Sequence, residues 1–432
     1  MALIRKTLVF CQNASTFVFF KNLLSYQKNL QMKTRIAFSF LHAFFMVIVT
    51  LISLSLSITF GDDLALIQLT SAFKNMIFKH ESKAVRSRFL FVSVTWEKEL
   101  IEKTDTVGFP IGNDVITNRQ SLGKLLQIIN QKPENHEFLI LDVFFKDSSP
   151  SDSLLKAELL RVKKCLVSYH KTENDKPDKP IFDAPIGLSD MQTYEDMVLK
   201  YQLIQGDSLK TTPLLMYEQL YKTKLEEGFF YDKLNGNRVL NSFIMDFEIR
   251  KYDIFQAPDS LRYPMVYISE LLTLPPDVVH KYIKDRIVVI GDFEGADKHK
   301  TIYGEMPGPV ILLDAFLALE RGDNILSPFF LLLIFFGFAL ASYKCFTTDD
   351  FITVWVDKKF GKYPFIVSMT ADVASYFVFF AVLSIASYFI FHIHLTILSL
   401  AVYMQILESV LQSYEENRQE VWEKIQAFFR KK

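Results

Sequence analysis

The chain has 432 residues, a net charge of −1 and 50% apolar residues, 41 of them phenylalanine, so it offers no electrostatic case for binding nucleic acid. Its length leaves room for more than one domain. The apolar residues are gathered into blocks, and a block of about 20 such residues crosses roughly 30 Å of hydrocarbon, which excludes a purely soluble protein.

Residues 1–35 carry Arg5, Lys6, Lys21, Lys28, Lys33 and Arg35 and no acidic residue, so this segment is expected to stay in the cytoplasm. Within it, Met32-Lys33-Thr34-Arg35 has the form of a second translation start, a short basic run directly before an apolar core. The run 36–60 exceeds the roughly 7–15 apolar residues of a cleavable export signal, which predicts a retained anchor, with cleavage after Ser57 as the alternative. His42 lies inside this run; an ionisable group at membrane depth is either functional or neutral and packed.

Residues 61–324 form the large hydrophilic block. The stretch 88–95 (RFLFVSVT) reads as a strand, followed by a loop around Gly108, Pro110 and Gly112. Leu122, Leu125, Leu126 and Ile129 then predict a helix over 118–130. FLILDVF at 138–144 is a continuous apolar run, as expected of a strand buried on both faces. Strand, helix and strand at this spacing imply a parallel crossover, and 161–168 adds another strand. The charged, Pro-rich 171–185 is an exposed loop, 211–224 a helix, and Pro275-Pro276 opens a short helix after 265–272. The stretch 285–324 then reads as a buried strand (287–290), a polar loop, and a helix from Pro309 that stops at Gly322-Asp323-Asn324. The expected fold is an α/β extracytoplasmic domain with a mainly parallel or mixed sheet, plus four α-helical transmembrane segments.

After the first anchor the remaining spans are expected at 325–343, 373–391 and 395–411. The loop 344–372 carries Lys344, Lys358, Lys359 and Lys362, which places it in the cytoplasm. His392, Ile393 and His394 form a tight outer turn, and the tail 412–432 returns inside. Gln405 and Glu408, near the inner end of the last span, are expected to snorkel to the interface. In the tail, Trp422, Ile425, Phe428 and Phe429 fall on one helical face that lies on the membrane, pairs with a twin chain or docks a partner. Of Cys11, Cys165 and Cys345 only Cys165 lies outside, so no intramolecular disulfide is expected there, and the spacing matches no metal motif.

Asp292, Glu294, Asp297 and His299 crowd one loop at the C-terminal end of a strand, where open α/β sheets bind ligands. Asp142 and Asp147 leave a neighbouring strand and are expected to converge on the same crevice. Three readings stay open: a small-ligand site, a divalent-cation site, or a solvated loop in which Asp297, His299 and Thr301 tie the backbone together. Gly308-Pro309 opens a helix whose N–H groups suit an anion, although proline removes one donor. Pro309, Asp314, Arg321 and Asn324 lie along the segment feeding the span at Ile325 and are the expected coupling residues. No nucleophile–base set or phosphate loop is present, so neither an enzyme nor a cofactor is expected.

Four segments carry a family resemblance. RFLFVSVTWE, GFPIGNDVITNRQSLGKLLQIINQ and FLILDVFF, with its Asp142, precede RIVVIGDFEGADKHKTIYGEMPG, in which Ile290-Gly291, Asp297, His299, Thr301, Gly304, Met306, Pro307 and Gly308 fall into a fixed pattern. Together they resemble the CHASE2 family of bacterial extracytoplasmic sensors, which have one anchor before the domain and three helices after it. The resemblance implies a bacterial inner-membrane protein with both termini cytoplasmic. Members usually continue into a cyclase, kinase or other output domain, whereas here only 412–432 follow the last span. The expected function is an input module that reports to a separate cytoplasmic or membrane signalling partner. The alternatives are a structural or assembly protein of the envelope and an enzyme at the Asp142–Asp297 crevice. Expected partners are the lipid bilayer, a small ligand or envelope component outside, and a second copy of the chain.

Overall fold

A computed structural model describes residues 14–55, 61–77, 82, 84–107, 109–172, 174, 176–206, 208–229, 231–347 and 364–411. The chain divides into two compact units. The first is built on seven strands: β1 (Phe89–Ser93), β2 (Phe138–Asp142), β3 (Cys165–Lys171), β4 (Pro177–Asp178), β5 (Ile186–Leu188), β6 (Met265–Tyr267) and β7 (Ile287–Gly291). Their order is β6-β1-β7-β2-β3, and both β4 and β5 pair with β3. Every pairing is parallel except β3 with β4. The sheet is therefore mixed, with a single antiparallel strand at its edge.

Helices cover both faces, which explains why the central strands are apolar throughout. Leu90, Val92, Leu139, Leu141, Val288 and Ile290 pack toward α1 (Arg119–Ile129), α2 (Asp152–Leu159), α4 (Ile268–Thr273) and α5 (Pro276–Ile283). The alternate residues Phe89, Phe91, Phe138, Ile140, Ile287 and Val289 face α3 (Thr212–Tyr221) and α6 (Gly308–Arg321). The Asn118 side chain caps α1 by accepting the Ser121 N–H at 2.8 Å. α6 is buried from Gly308 to Leu319, so it is a core strut. Each of its large apolar side chains contributes about 1.5–3 kcal/mol by leaving water. It ends where the sequence places its stop, at Gly322 with φ 76°.

Three expected loops contain strands. The segment around Pro110 and Gly112 is half of a hairpin, Lys98–Thr104 against Pro110–Thr117, in which proline sits at a strand start that needs no N–H. The loop 171–185 contains β4. The polar loop after β7 holds a second hairpin, Lys298–Thr301 with Gly304–Pro307, turned by Gly304 at φ 93°. Polar side chains hid these strands because their faces are solvated. A helix at Gly61–Ile77 is a further addition.

The second unit contains three helices long and apolar enough to cross a membrane, Met32–Ser55, Pro328–Phe346 and Ala374–Phe391, with the shorter apolar helix Ile397–Leu411 where a fourth span is expected. The first of them is continuous from Ala14 to Ser55; residues 56–60 lie outside the described residues. His42 is packed and bonded on both ring nitrogens. Ser342 Oγ donates to the Phe338 carbonyl (2.6 Å) and so accepts from His42 Nδ1 at 2.7 Å, leaving Nε2 to accept from the Tyr403 hydroxyl at 2.8 Å. Gln405 and Glu408 are buried within this unit, contrary to the expected snorkelling. Cys165 and Cys345 are buried free thiols; Cys11 is outside the described residues.

Candidate functional site at the strand ends

Parallel pairing brings the C-terminal ends of β2, β7 and β3 to one edge. Gly291 stands beside Asp142, and Leu141 beside Val167, so Ser168 and His170 follow on β3 at the level of Asp142 and just beyond. Asp190 lies two residues past β5. Its Oδ1 pairs with His170 Nδ1 at 2.8 Å, and its Oδ2 accepts the Lys171 N–H at 2.6 Å.

The hairpin after β7 supplies the other half. Asp297 accepts the Gly308 N–H through its carbonyl at 3.1 Å, and its carboxylate Oδ1 pairs with His299 Nε2 at 3.1 Å. That carboxylate lies over Gly308, where a Cβ would stand 2.5 Å from Asp297 Oδ2. The glycine at the start of α6 is thus a spatial requirement of the site. Gly291 is another, since a Cβ there would meet the Pro309 ring at 2.5 Å.

These groups share charge. Burial pushes the Asp142 carboxyl up to about 7, and the Asp297 carboxylate adds to the rise, while Ser168, His170 and His299 act against both. His299 is raised by its bond to Asp297, and His170 by its bond to Asp190, each against the opposing effect of burial. Within this group it is the Asp142 carboxyl that is pushed far above the usual carboxylate range. Beside the cluster, a cleft of about 480 Å³ is lined by Asp190, Gln192, Gln202 and Gln205, with the Gln205 amide donating to the Asp190 carbonyl at 2.7 Å.

The other expected site residues stand elsewhere. Asp292 is a loop cap: Oδ1 accepts from Thr95 Oγ1 at 2.7 Å and from the Gly295 N–H at 2.6 Å, and Lys98 lies 3.4 Å from Oδ2. Burial alone would raise its carboxyl, but these partners hold it below the usual range. Glu294 accepts from the Tyr267 hydroxyl at 2.7 Å. Thr301 closes the hairpin turn, donating to the Gly304 carbonyl and accepting from the Tyr303 N–H. Asp147 lies beside buried Arg119, whose Nη2 is 3.4 Å from the Asp147 carbonyl. Conversely, His170, Ser168 and Asp190 join the cluster without having been singled out. β3 runs three residues past its expected end at 168, and that extension carries the imidazole.

Among the described residues no three His, Cys, Asp or Glu side chains stand where one ion would take them all. Of the coupling residues, Pro309 packs on Gly291, and Asp314 is buried in α6 with Oδ1 accepting the Ile249 N–H at 2.9 Å. Burial raises the Asp314 carboxyl well above its usual value. Arg321 pairs with Asp323 at 2.6 Å and Glu248 at 3.4 Å, and the Asn324 carbonyl accepts the Leu240 N–H at 2.9 Å. Trp422, Ile425, Phe428 and Phe429 lie outside the described residues.

Among known families, the CHASE2 domain model matches residues 45–342. No curated protein and no solved structure matches the chain.

Proposed function

The chain belongs to the CHASE2 domain family, and on that premise we propose that it is a membrane-anchored extracytoplasmic sensor that reports to a separate signalling protein. In this reading the stimulus is a small ligand or a change in the envelope that alters the charge of the Asp142–Asp297–His299 cluster. The observation that carries the reading is the position of that cluster: Asp297 sits on Gly308, the first residue of α6, and the same helix ends at Arg321, just before the apolar helix from Pro328. A helix buried along nearly its whole length moves as a unit, so a push at one end is felt at the other.

Hydrogen exchange on the full chain in lipid nanodiscs at pH 5.5 and pH 8 tests this. The amides of α6 and of 321–326 should change protection with pH, and an Asp142→Asn, Asp297→Asn double variant should abolish the change. Identical protection of wild type at both pH values would sink the proposal. The separate partner is tested by crosslinking in cells followed by purification; reproducible recovery of the chain alone would remove that part.

A further inference from the structure

The hairpin Lys98–Thr104/Pro110–Thr117 is a two-stranded sheet by itself, and neither strand has another ladder partner among the described residues. Isolated two-stranded hairpins are marginally stable in water, and open strand edges recruit further strands. One face of the hairpin is bare: the cross-strand pair Leu100 and Val115 is 68% and 63% exposed, with Trp96, Phe109 and Ile111 exposed nearby. The opposite face leans on the domain, where Glu99 accepts the Arg119 N–H at 3.3 Å.

We infer that a second copy of this chain covers this hairpin, the two Lys98–Thr104 strands pairing antiparallel about a two-fold axis at Leu100 to make a four-stranded sheet. The sequence of the strand selects that register. The Asn118 N–H donates to the Glu97 carbonyl at 2.9 Å, one step before the ladder begins. The odd-numbered residues therefore turn their backbone groups toward the hairpin partner, and Leu100 and Glu102 turn theirs to the free edge. Even residues must then meet even residues. That parity excludes the arrangement placing Lys98 opposite Lys103. A two-fold at Ile101 would set Leu100 against Glu102 twice on the bare face. A two-fold at Leu100 sets Leu100 against Leu100, and on both sides brings Lys98, which within its own chain lies 3.4 Å from Asp292, against Glu102. The result is an apolar stripe of two leucines and two valines, bounded by two opposite-charge pairs. The inference stands apart from the reading of the strand-end cluster.

The test uses the full chain in nanodiscs, with mass measured across a dilution series. Wild type should be a dimer, Glu102→Lys should weaken association by at least about tenfold by setting lysine against lysine, and adding Lys98→Glu should restore it. Leu100→Cys should form an intermolecular disulfide on mild oxidation, because residues across a two-fold pair lie within disulfide reach, while Glu102→Cys should not crosslink to itself. A wild-type monomer overturns the inference, as does a dimer indifferent to Glu102→Lys. A dimer in which Leu100→Cys fails to crosslink, or Glu102→Cys crosslinks to itself, overturns the register.

Discussion

The two ends of α6 carry ionisable networks built on opposite rules. At Gly308, three carboxylates (Asp142, Asp190, Asp297) crowd two imidazoles, and Asp142 is pushed up to about 7. At Arg321, cations and carboxylates alternate: Lys74 pairs with Asp246, Arg321 with Asp323 and Glu248, and Arg88 grips Glu320 at 2.8 and 2.9 Å. Burial would raise Asp246, but Lys74 and Arg321 hold it below the usual range. Like charges forced together favour the protonated form of one of them, whereas opposite charges paired in a half-dry setting make a fixed joint. The 14 residues of α6 separate the two by about 21 Å.

Breaking the joint should have the larger effect. Arg321→Ala leaves Asp323, whose side chain is 3% exposed, without its guanidinium. About 2–3 kcal/mol of stability should be lost, a fall in Tm of roughly 5–10 °C in thermal melts of the solubilised chain. A change under about 0.5 kcal/mol would show that the joint is solvated and that the contrast fails.

Asp142→Asn tests the responsive end with the sign reversed. The raised value means that the folded domain keeps a proton the unfolded chain releases from about pH 3.8 upward, so this group's contribution falls as pH rises from about 4 to 7. The variant should match wild type near pH 4 and be the more stable of the two at pH 8, with a difference that grows across that interval. A loss of stability at pH 8 would mean that the ionised carboxylate is held by partners. Next in size, Gly308→Ala drives a Cβ into the Asp297 carboxylate. It should lower stability by about 1–2 kcal/mol and abolish the pH-dependent protection of α6; retention of that response would detach Asp297 from the helix.

The central sheet was legible because its strands are buried on both faces, and α1 and α6 because of the Asn118 cap and the Gly322 stop. Phe138–Asp142, Ile287–Gly291 and the αL stop at Gly322 follow from pattern and chemistry alone. What stayed hidden is either short, as in the two- and three-residue strands between Thr193 and Ile244, or polar. The two hairpins alternate charged residues with β-formers on solvated faces, and their turns supplied the only signal. The site was half legible for the same reason. Asp142 lies on a strand end the sequence announces and Asp297 and His299 in the loop after another, whereas His170 and Asp190 meet them through β3 and β5, whose pairing only the three-dimensional register fixes.

The smallest predicted effect separates a charged tie from a neutral one. His299 is half-exposed, and its bond to Asp297 raises its pKa above the ordinary 6.5. A histidine raised in the folded state stabilises fully below its unfolded value, and that contribution fades as pH rises through the folded value. His299→Gln should therefore lower stability by under about 1 kcal/mol at pH 5.5, the size of a charge-assisted bond discounted for solvent. By pH 9 the variant and wild type should melt together. If the deficit were instead larger at pH 9 than at pH 5.5, the neutral imidazole would be the form the hairpin needs. The responsive end would then reduce to Asp142, whose carboxyl is raised by burial and by the Asp297 carboxylate that lies over the first residue of α6.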